Sequence, residues 1–195
     1  MPVWPDVRPF EAVPFQWSCH RRESAGQPLT HAEWIEVDAP PHEAFVDSLL
    51  AAVEGAASIM VFSAYERTIL KALALRLPHK AAQIAGVIDR LVDLLPMARR
   101  GYYAPAMRGS WSLKAILPTL PDAPAYDALD GPQNGSQAQL AYFQLVTAAI
   151  PADARPALVA GMLDYCELDT DALARFFDVL AQPAEASRWE PSGID

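Results

Sequence analysis

The chain has 195 residues, of which 52% are hydrophobic and 20% charged, so it can bury the core of one globular domain and is not disordered. Its net charge of −9 excludes a protein that coats DNA by bulk positive charge, although a local basic patch is compatible with it. Two cysteines make no disulfide framework, no apolar run has membrane-spanning length and no signal-peptide pattern occurs, so the sequence predicts a cytoplasmic protein without a membrane partner.

The first part of the chain is predicted to begin with an irregular arm over the proline-rich residues 1–14. Apolar and polar residues alternate over 15–20, which predicts a strand, and a second strand near 32–37 completes a hairpin. Two prolines open a predicted helix over 42–53. The continuous apolar run 58–62 predicts a strand buried on both faces.

The rest of the chain is predicted to be mainly helical, and residues 91–95 form either a short strand or the end of a helix. Apolar periodicity predicts helices over residues 64–77, 80–90, 110–117, 136–150 and 155–180, the last as one helix or two abutting ones. Residues from 182 to 195 are predicted to be a loose polar tail. This order of elements predicts a single α/β domain over residues 1–181, with a mixed sheet flanked by helices.

Ser63 and Glu66 follow the buried strand, and their spacing permits two interpretations. Ser-x-x-Glu is the pattern of a capping box, in which Ser63 would cap a helix and Glu66 would bond back to it. Alternatively, the Glu66 carboxylate lies where strands of an open α/β sheet end, which is where functional groups collect. The two interpretations do not exclude each other.

An acidic stretch in the last helix contains Tyr165 and Asp169, which are four residues apart and therefore share a face. Four acids within residues 164–171 repel one another unless cations or solvent relieve the repulsion. Carboxylates that converge from separate elements form oxygen-ligand sites for Mg²⁺ or Mn²⁺. The alternative is an exposed acidic helix face with Leu163, Cys166 and Leu173 buried behind it.

Residues 94–121 contain no acid and carry a charge of +4 in a chain whose net charge is −9. We call this stretch the basic segment; its cations are Arg99, Arg100, Arg108 and Lys114. Three aromatic residues are interleaved, and basic groups with flat aromatics suit a phosphate backbone and stacked bases. Ser110 lies at the predicted start of a helix, which is another place for an anion. The alternative is a basic loop that only balances neighbouring acids.

Several common site types are absent from the sequence. The four histidines do not pair with either cysteine at the spacing of a structural zinc site. The phosphate-binding loop, the dinucleotide-binding glycine motif and the nucleophile elbow of serine hydrolases are also missing. Kinase, nicotinamide-dependent and serine-hydrolase functions therefore lose their main support.

Five blocks of residues, taken together, resemble an uncharacterised bacterial family of domains of unknown function. The blocks are Arg8-Pro9-Phe10 with Pro14-Phe15-Gln16-Trp17-Ser18-Cys19-His20, Tyr65-Glu66-Arg67-Thr68, Leu91-Val92-Asp93-Leu94, Gly109-Ser110-Trp111-Ser112-Leu113-Lys114 and Leu163-Asp164-Tyr165-Cys166-Glu167-Leu168-Asp169-Thr170. That family looks like a branch of the RNase H-like DEDD exonucleases of the Tyr-x-x-x-Asp subtype, and the likeness runs over residues 2–180.

The resemblance implies a site in which four carboxylates hold two divalent metal ions, Mg²⁺ or Mn²⁺. Glu66 and Asp169 match two of these ligands, and Tyr165 matches the tyrosine that places the attacking water. Asp93 and Lys114 fall in the family blocks without an assigned role. The implied activity is a metal-dependent 3′ to 5′ exonuclease that acts on single-stranded ends of DNA or RNA.

The resemblance also implies an Asp-x-Glu motif on a first, central strand, which would precede Pro2. Without it we expect a domain that is incomplete or inactive, and the alternative function is a non-catalytic nucleic-acid-binding or protein-interaction module. The first strand would lie between residues 15–20 and 58–62. We expect residues 3–7 to fill that place, a partner chain or second copy to pair there, or the sheet to close without it.

Overall fold

In the computed structural model of the protein, the described residues are Trp4, 7–8, 11–24, 26–121, 123 and 125–182. They form an α/β fold of small sheets and helices, as the sequence predicts. The prediction for the tail falls on residues 183–195, which lie outside the described residues, and so do residues 3, 5 and 6 of the arm. None of the described helices is long and apolar enough to cross a membrane.

The predicted hairpin is present as β1 (Gln16–Arg21) and β2 (Thr30–Ile35), which pair antiparallel. Trp17 faces Trp34 across the ladder, and this aromatic pair stabilises the register. The second strand begins two residues before the predicted position. It ends at Ile35 because the Glu36 side chain accepts the backbone N–H of Asp38 and turns the chain.

The first core lies between the hairpin and the next five elements. These are α1 (His42–Ala52), β3 (Ile59–Val61), α2 (Tyr65–Arg76), α3 (Ala81–Asp89) and β4 (Leu91–Asp93). Each helix turns its apolar stripe inward, as amphipathic helices of globular proteins do. The buried side chains are Phe45, Val46, Val53, Val61, Leu70, Leu73, Ile84, Val87 and Leu91, and both hairpin tryptophans pack against them.

The prediction of one mixed sheet is not met by the described residues. β3 pairs with β4 in parallel, and the hairpin forms a separate two-stranded sheet. Strands of three residues leave little edge for further pairing, and the hairpin packs against α1 and the last helix instead. No described strand therefore lies between β1 and β3, where the first strand was expected.

The second half packs around one long helix, α7 (Arg155–Ala181). The other helices are α4 (Leu95–Gly101), α5 (Leu113–Ile116) and α6 (Gly135–Val146); one 3₁₀ turn lies between α4 and α5, and two lie between α5 and α6. α7 is one continuous helix, which decides between the two predicted forms. The loop before α6 crosses it closely, since a Cβ added at Gly131 would lie 2.7 Å from the Cα of Gly161.

Candidate functional site

Asp169 lies on α7 in the centre of a polar cluster that the fold partly buries. The Tyr126 hydroxyl donates a hydrogen bond of 2.6 Å to Asp169 Oδ1. Tyr165, one helical turn earlier, also donates its hydroxyl to this carboxylate, as the four-residue spacing predicts. The two tyrosine rings lie 6.2 Å apart between their centroids.

Lys114 on α5 completes this cluster, which we call the Asp169 cluster. Its Nζ lies 4.9 Å from the ring centroid of Tyr126 and 5.1 Å from that of Tyr165, within the range of cation–π attraction. The same ammonium donates a hydrogen bond to the carbonyl of Gln133, which fixes the side chain between the loop and α7. Lys114 thus connects the basic segment to Asp169.

Burial is the main cause of the pKa shifts in the Asp169 cluster. It raises the pKa of Asp169, and the hydrogen bonds from Tyr126 and Tyr165 and the charge of Lys114 offset only part of that rise. Burial also lowers the pKa of Lys114, against the pull of Asp169. The pKa values of both tyrosines are raised, first by burial and then by the carboxylate, so their hydroxyls stay neutral donors.

A second group lies at the carboxyl ends of β3 and β4. Asp93 Oδ1 accepts the backbone N–H groups of Ser63 and Leu95, both at 2.9 Å, and so joins the ends of the two parallel strands. Glu66 lies beside it, half-buried, and its Oε2 makes no hydrogen bond with a described residue. Burial is the main reason why the pKa of Glu66 is raised; its own backbone N–H opposes the rise and the charge of Asp93 adds to it.

The predicted capping box at this position is wrong. α2 begins at Tyr65, its N-cap is Ala64, and no side chain caps it. Ser63 has a φ of 114°, a conformation that L residues rarely adopt, because its N–H is directed to Asp93. The Ser63 hydroxyl consequently accepts from the N–H of Tyr65, at 3.2 Å, and not from that of Glu66.

The basic segment forms a layer over α7 with one buried and one exposed side. Its inner side chains pack against α7 at Leu168, Ala172 and Phe176; they are Ala98, Met107, Ile116, Leu117 and Leu120. Met107 is 1% exposed and holds the loop after α4 in place. The fixed inner side determines which residues of the segment face solvent.

The exposed side of the basic segment carries Arg99, Arg100, Tyr103 and Arg108. The side chains of the three arginines make no hydrogen bond or ion pair with another described residue. Arg108 has a left-handed backbone (φ 49°), held by the bond from its N–H to the carbonyl of Pro105. Ser110 is exposed and hydrogen-bonds the hydroxyl of Ser112, which is the residue that caps α5.

A family model for a domain of unknown function (DUF2779) matches residues 1–112 of this chain. The chain belongs to this family. The match covers the Glu66–Asp93 group and most of the basic segment, and it ends before Lys114 and the acidic stretch of α7. No curated protein and no solved structure matches the chain.

For this member of the DUF2779 family, the structure places the sequence-predicted site residues beside the following neighbours. Tyr165, Asp169 and Lys114 lie together, whereas Glu66 has Asp93 as its charged neighbour. Among the described residues, no group of three or more His, Cys, Asp or Glu side chains is placed to hold a metal ion. The two-metal site that the resemblance implies therefore stays a prediction.

Sequence reasoning did not identify Tyr126, although it makes the shortest hydrogen bond to Asp169. The two residues are 43 positions apart, and no periodicity connects a 3₁₀ turn in a proline-rich loop with a distant helix. A signal was present only in composition, since Tyr126 is the one aromatic residue in residues 121–134. The contact depends on how that loop crosses α7.

A polar network between the hairpin and α7 was also not predicted. The Thr170 hydroxyl lies 2.9 Å from both Ser18 Oγ and His20 Nδ1, and Ser18 Oγ lies 2.8 Å from His31 Nε2. The two histidine rings stack, with their centroids 4.8 Å apart, and Glu167 lies 3.6 Å from His31. This network holds the hairpin against the last helix.

Proposed function

We propose that this domain binds nucleic acid through the exposed side of the basic segment. The observation that carries the proposal is the set of three exposed arginines, Arg99, Arg100 and Arg108, that have no counter-ion among the described residues. Arginine binds phosphate oxygens through its planar fork of donors, and such contacts position a strand without reading its sequence. A net charge of −9 does not oppose a local contact of this kind.

Other arginines of the chain show what a structural role looks like. Arg22 pairs with Asp178 at 2.8 Å, and Arg155 pairs with Asp38. Arg90 binds the carbonyls of Val53 and Ala56 and so holds a loop. The arginines of the basic segment have no such partner among the described residues. This argues against the alternative in which the segment only balances the charge of neighbouring acids.

The binding test uses fluorescence anisotropy with labelled single-stranded DNA and RNA oligonucleotides at several salt concentrations. Replacing Arg99 and Arg100 by alanine should weaken binding and reduce the slope of log Kd against log salt by about 1.4, the value for two lost phosphate contacts on a single strand. Lys71→Glu is the matched control, because it also changes the charge by two units at an exposed position outside the segment. Equal losses in both variants would show a non-specific charge effect and contradict the proposal.

A second candidate function is the metal-dependent 3′ to 5′ exonuclease that the resemblance implies. The contact between Tyr165 and Asp169, with Lys114 above both tyrosine rings, favours it, because these residue types are the ones expected beside a scissile phosphate. The exonuclease hypothesis also includes an RNase H-like arrangement of strands, which the resemblance implies. Such an activity needs metal ligands in addition to those that the described residues bring together.

The nuclease test follows a 5′-labelled single strand in the presence of Mg²⁺, Mn²⁺ or a chelator. A 3′ to 5′ exonuclease gives a ladder of products shortened from the 3′ end, and Tyr165→Phe and Asp169→Asn abolish it. Binding of the same strand without cleavage in every metal would reject the exonuclease and leave the binding function in place.

A further inference from the structure

We propose that Tyr103 is a base-stacking platform that makes the basic segment prefer single-stranded to double-stranded nucleic acid. This inference rests on the proposed nucleic-acid binding and adds the class of ligand and the residue that selects it. Tyr103 is 64% exposed, so the face of its ring is open to solvent. It lies three and four residues after the two exposed arginines of α4.

The neighbouring residue explains why Tyr103 faces solvent. The backbone of Tyr102 is extended (φ −134°, ψ 129°), so adjacent side chains point to opposite sides. Tyr102 points inward, where its hydroxyl lies 2.7 Å from Thr119 Oγ1 and its ring meets Phe176 at 5.1 Å between centroids. Because Tyr102 is held at both ends, Tyr103 is directed outward.

The residue after Tyr103 is fixed as well. Ala104 is also extended and packs against the core of the second half, and its N–H is directed to the sulfur of Met107 at 3.4 Å. Tyr103 therefore stands between two inward-facing residues, and the backbone that carries it is ordered before any ligand binds. A pre-positioned ring loses little conformational freedom on binding, which favours affinity.

The chemistry of the surroundings indicates a nucleotide as the ligand. Arg99 and Arg100 lie within four residues of Tyr103, so the chain places them at most about 14 Å away along the backbone. Cations that hold phosphates beside an exposed ring that stacks a base are the recurring elements of single-strand binding sites. A duplex keeps its bases stacked inside, so it offers phosphates to the arginines and no free base face to Tyr103.

A second exposed tyrosine provides the contrast. Tyr65 is also 64% exposed, but it opens α2 beside Glu66 and lies outside the basic segment. Exposure of an aromatic ring alone therefore does not distinguish Tyr103. Tyr103 is distinguished by three features together: an exposed ring, a fixed backbone, and adjacent arginines that have no counter-ion among the described residues.

The test compares a labelled oligo-thymidine strand with a blunt two-stranded DNA duplex of the same number of phosphates, by anisotropy at fixed salt. Tyr103→Ala should weaken binding of the single strand by roughly 5- to 20-fold, the lower part of the range for loss of one stacked base, and leave binding of the duplex unchanged. Tyr103→Trp should retain single-strand affinity. Tyr65→Ala, the matched control, should bind both ligands as the unchanged protein does.

The salt dependence separates the two proposals. Stacking releases no counterions, so Tyr103→Ala should leave the salt slope unchanged, whereas the double arginine variant reduces it. Unchanged single-strand affinity in Tyr103→Ala, with the loss in the arginine variant intact, would overturn the stacking inference alone. Unchanged affinity in the arginine variant would overturn the proposed binding function itself.

Discussion

Removing the Tyr126 hydroxyl tests whether Asp169 is held as a carboxylate by its neighbours. Tyr126→Phe keeps the ring that packs beside Tyr165 and deletes the donor at 2.6 Å from Asp169 Oδ1. A hydrogen bond to a charged group contributes about 1.5 to 3 kcal/mol to stability. Because both side chains are only half-buried, we expect a loss of about 1.5 to 2 kcal/mol in the free energy of unfolding at pH 7.

The assay is urea unfolding of Tyr126→Phe, Asp169→Asn and the double variant, which form a double-mutant cycle. The loss caused by Tyr126→Phe should shrink by at least about 1 kcal/mol in the Asp169→Asn background, because the acceptor there is neutral. Tyr102→Phe is the control: it also deletes a tyrosine hydrogen bond, to Thr119, and should be additive with Asp169→Asn.

The pH dependence of the stability loss in Tyr126→Phe provides a second test. Tyr126 donates to the ionised form, so its loss should raise the pKa of Asp169 further above the usual range of an aspartate. At a pH low enough to protonate Asp169 in the folded protein, the cost of Tyr126→Phe should fall towards that of a neutral hydrogen bond, about 1 kcal/mol. Equal costs in both backgrounds and at both pH values would refute this explanation of the cluster.

Three further predictions concern other parts of the molecule. Gly161→Ala would place a Cβ 2.9 Å from the Cα of Gly131 and should lower the free energy of unfolding in urea by about 1 to 3 kcal/mol. Gly135→Ala is the control, because there is open space around Gly135, and it should not destabilise the protein. Similar free energies in the two variants would contradict the close crossing of the loop and α7. Burial, and after it the charge of a neighbouring histidine, lowers the pKa of His20, so the folded protein binds fewer protons than the unfolded chain. Stability should therefore decline as the pH falls below about 6.5, the usual pKa of a histidine. His20→Gln should flatten that decline in thermal melts between pH 7 and 5, and an unchanged slope would contradict the prediction. Burial raises the pKa of Cys166 to about 12, so its thiol should react slowly with an alkylating reagent at pH 8 in Cys19→Ser protein and rapidly in urea; fast reaction of the native protein would show that the thiol is accessible.

The sequence predicts local features of this fold well. The hairpin and the long helix α7 follow from period-2 and period-3.6 patterns, and the short strand before α2 follows from a continuous apolar run; all of these depend only on neighbouring residues. The shared face of Tyr165 and Asp169 follows for the same reason. These features need no knowledge of which elements later pack together.

The pairing of the strands could not be predicted from such local sequence patterns. One mixed sheet and two separate sheets use the same strand sequences, and the difference arises from how the hairpin packs on α7, through contacts such as Ser18 to Thr170. The capping box failed because Asp93, thirty residues away, binds the N–H of Ser63 and changes its backbone. The role of Tyr126 likewise depends on a contact between distant residues.

Binding of nucleic acid to the exposed side of the basic segment is the central claim. The most direct measurement is a titration of the ¹⁵N-labelled protein with a short single-stranded oligonucleotide, followed by NMR signals of the backbone amides and arginine side chains. We predict shifts at the Nε–H groups of Arg99, Arg100 and Arg108 and at the amides around Tyr103, with little change in the hairpin or α1. Shifts confined to other surfaces, or no saturable shift at low salt, would contradict the claim.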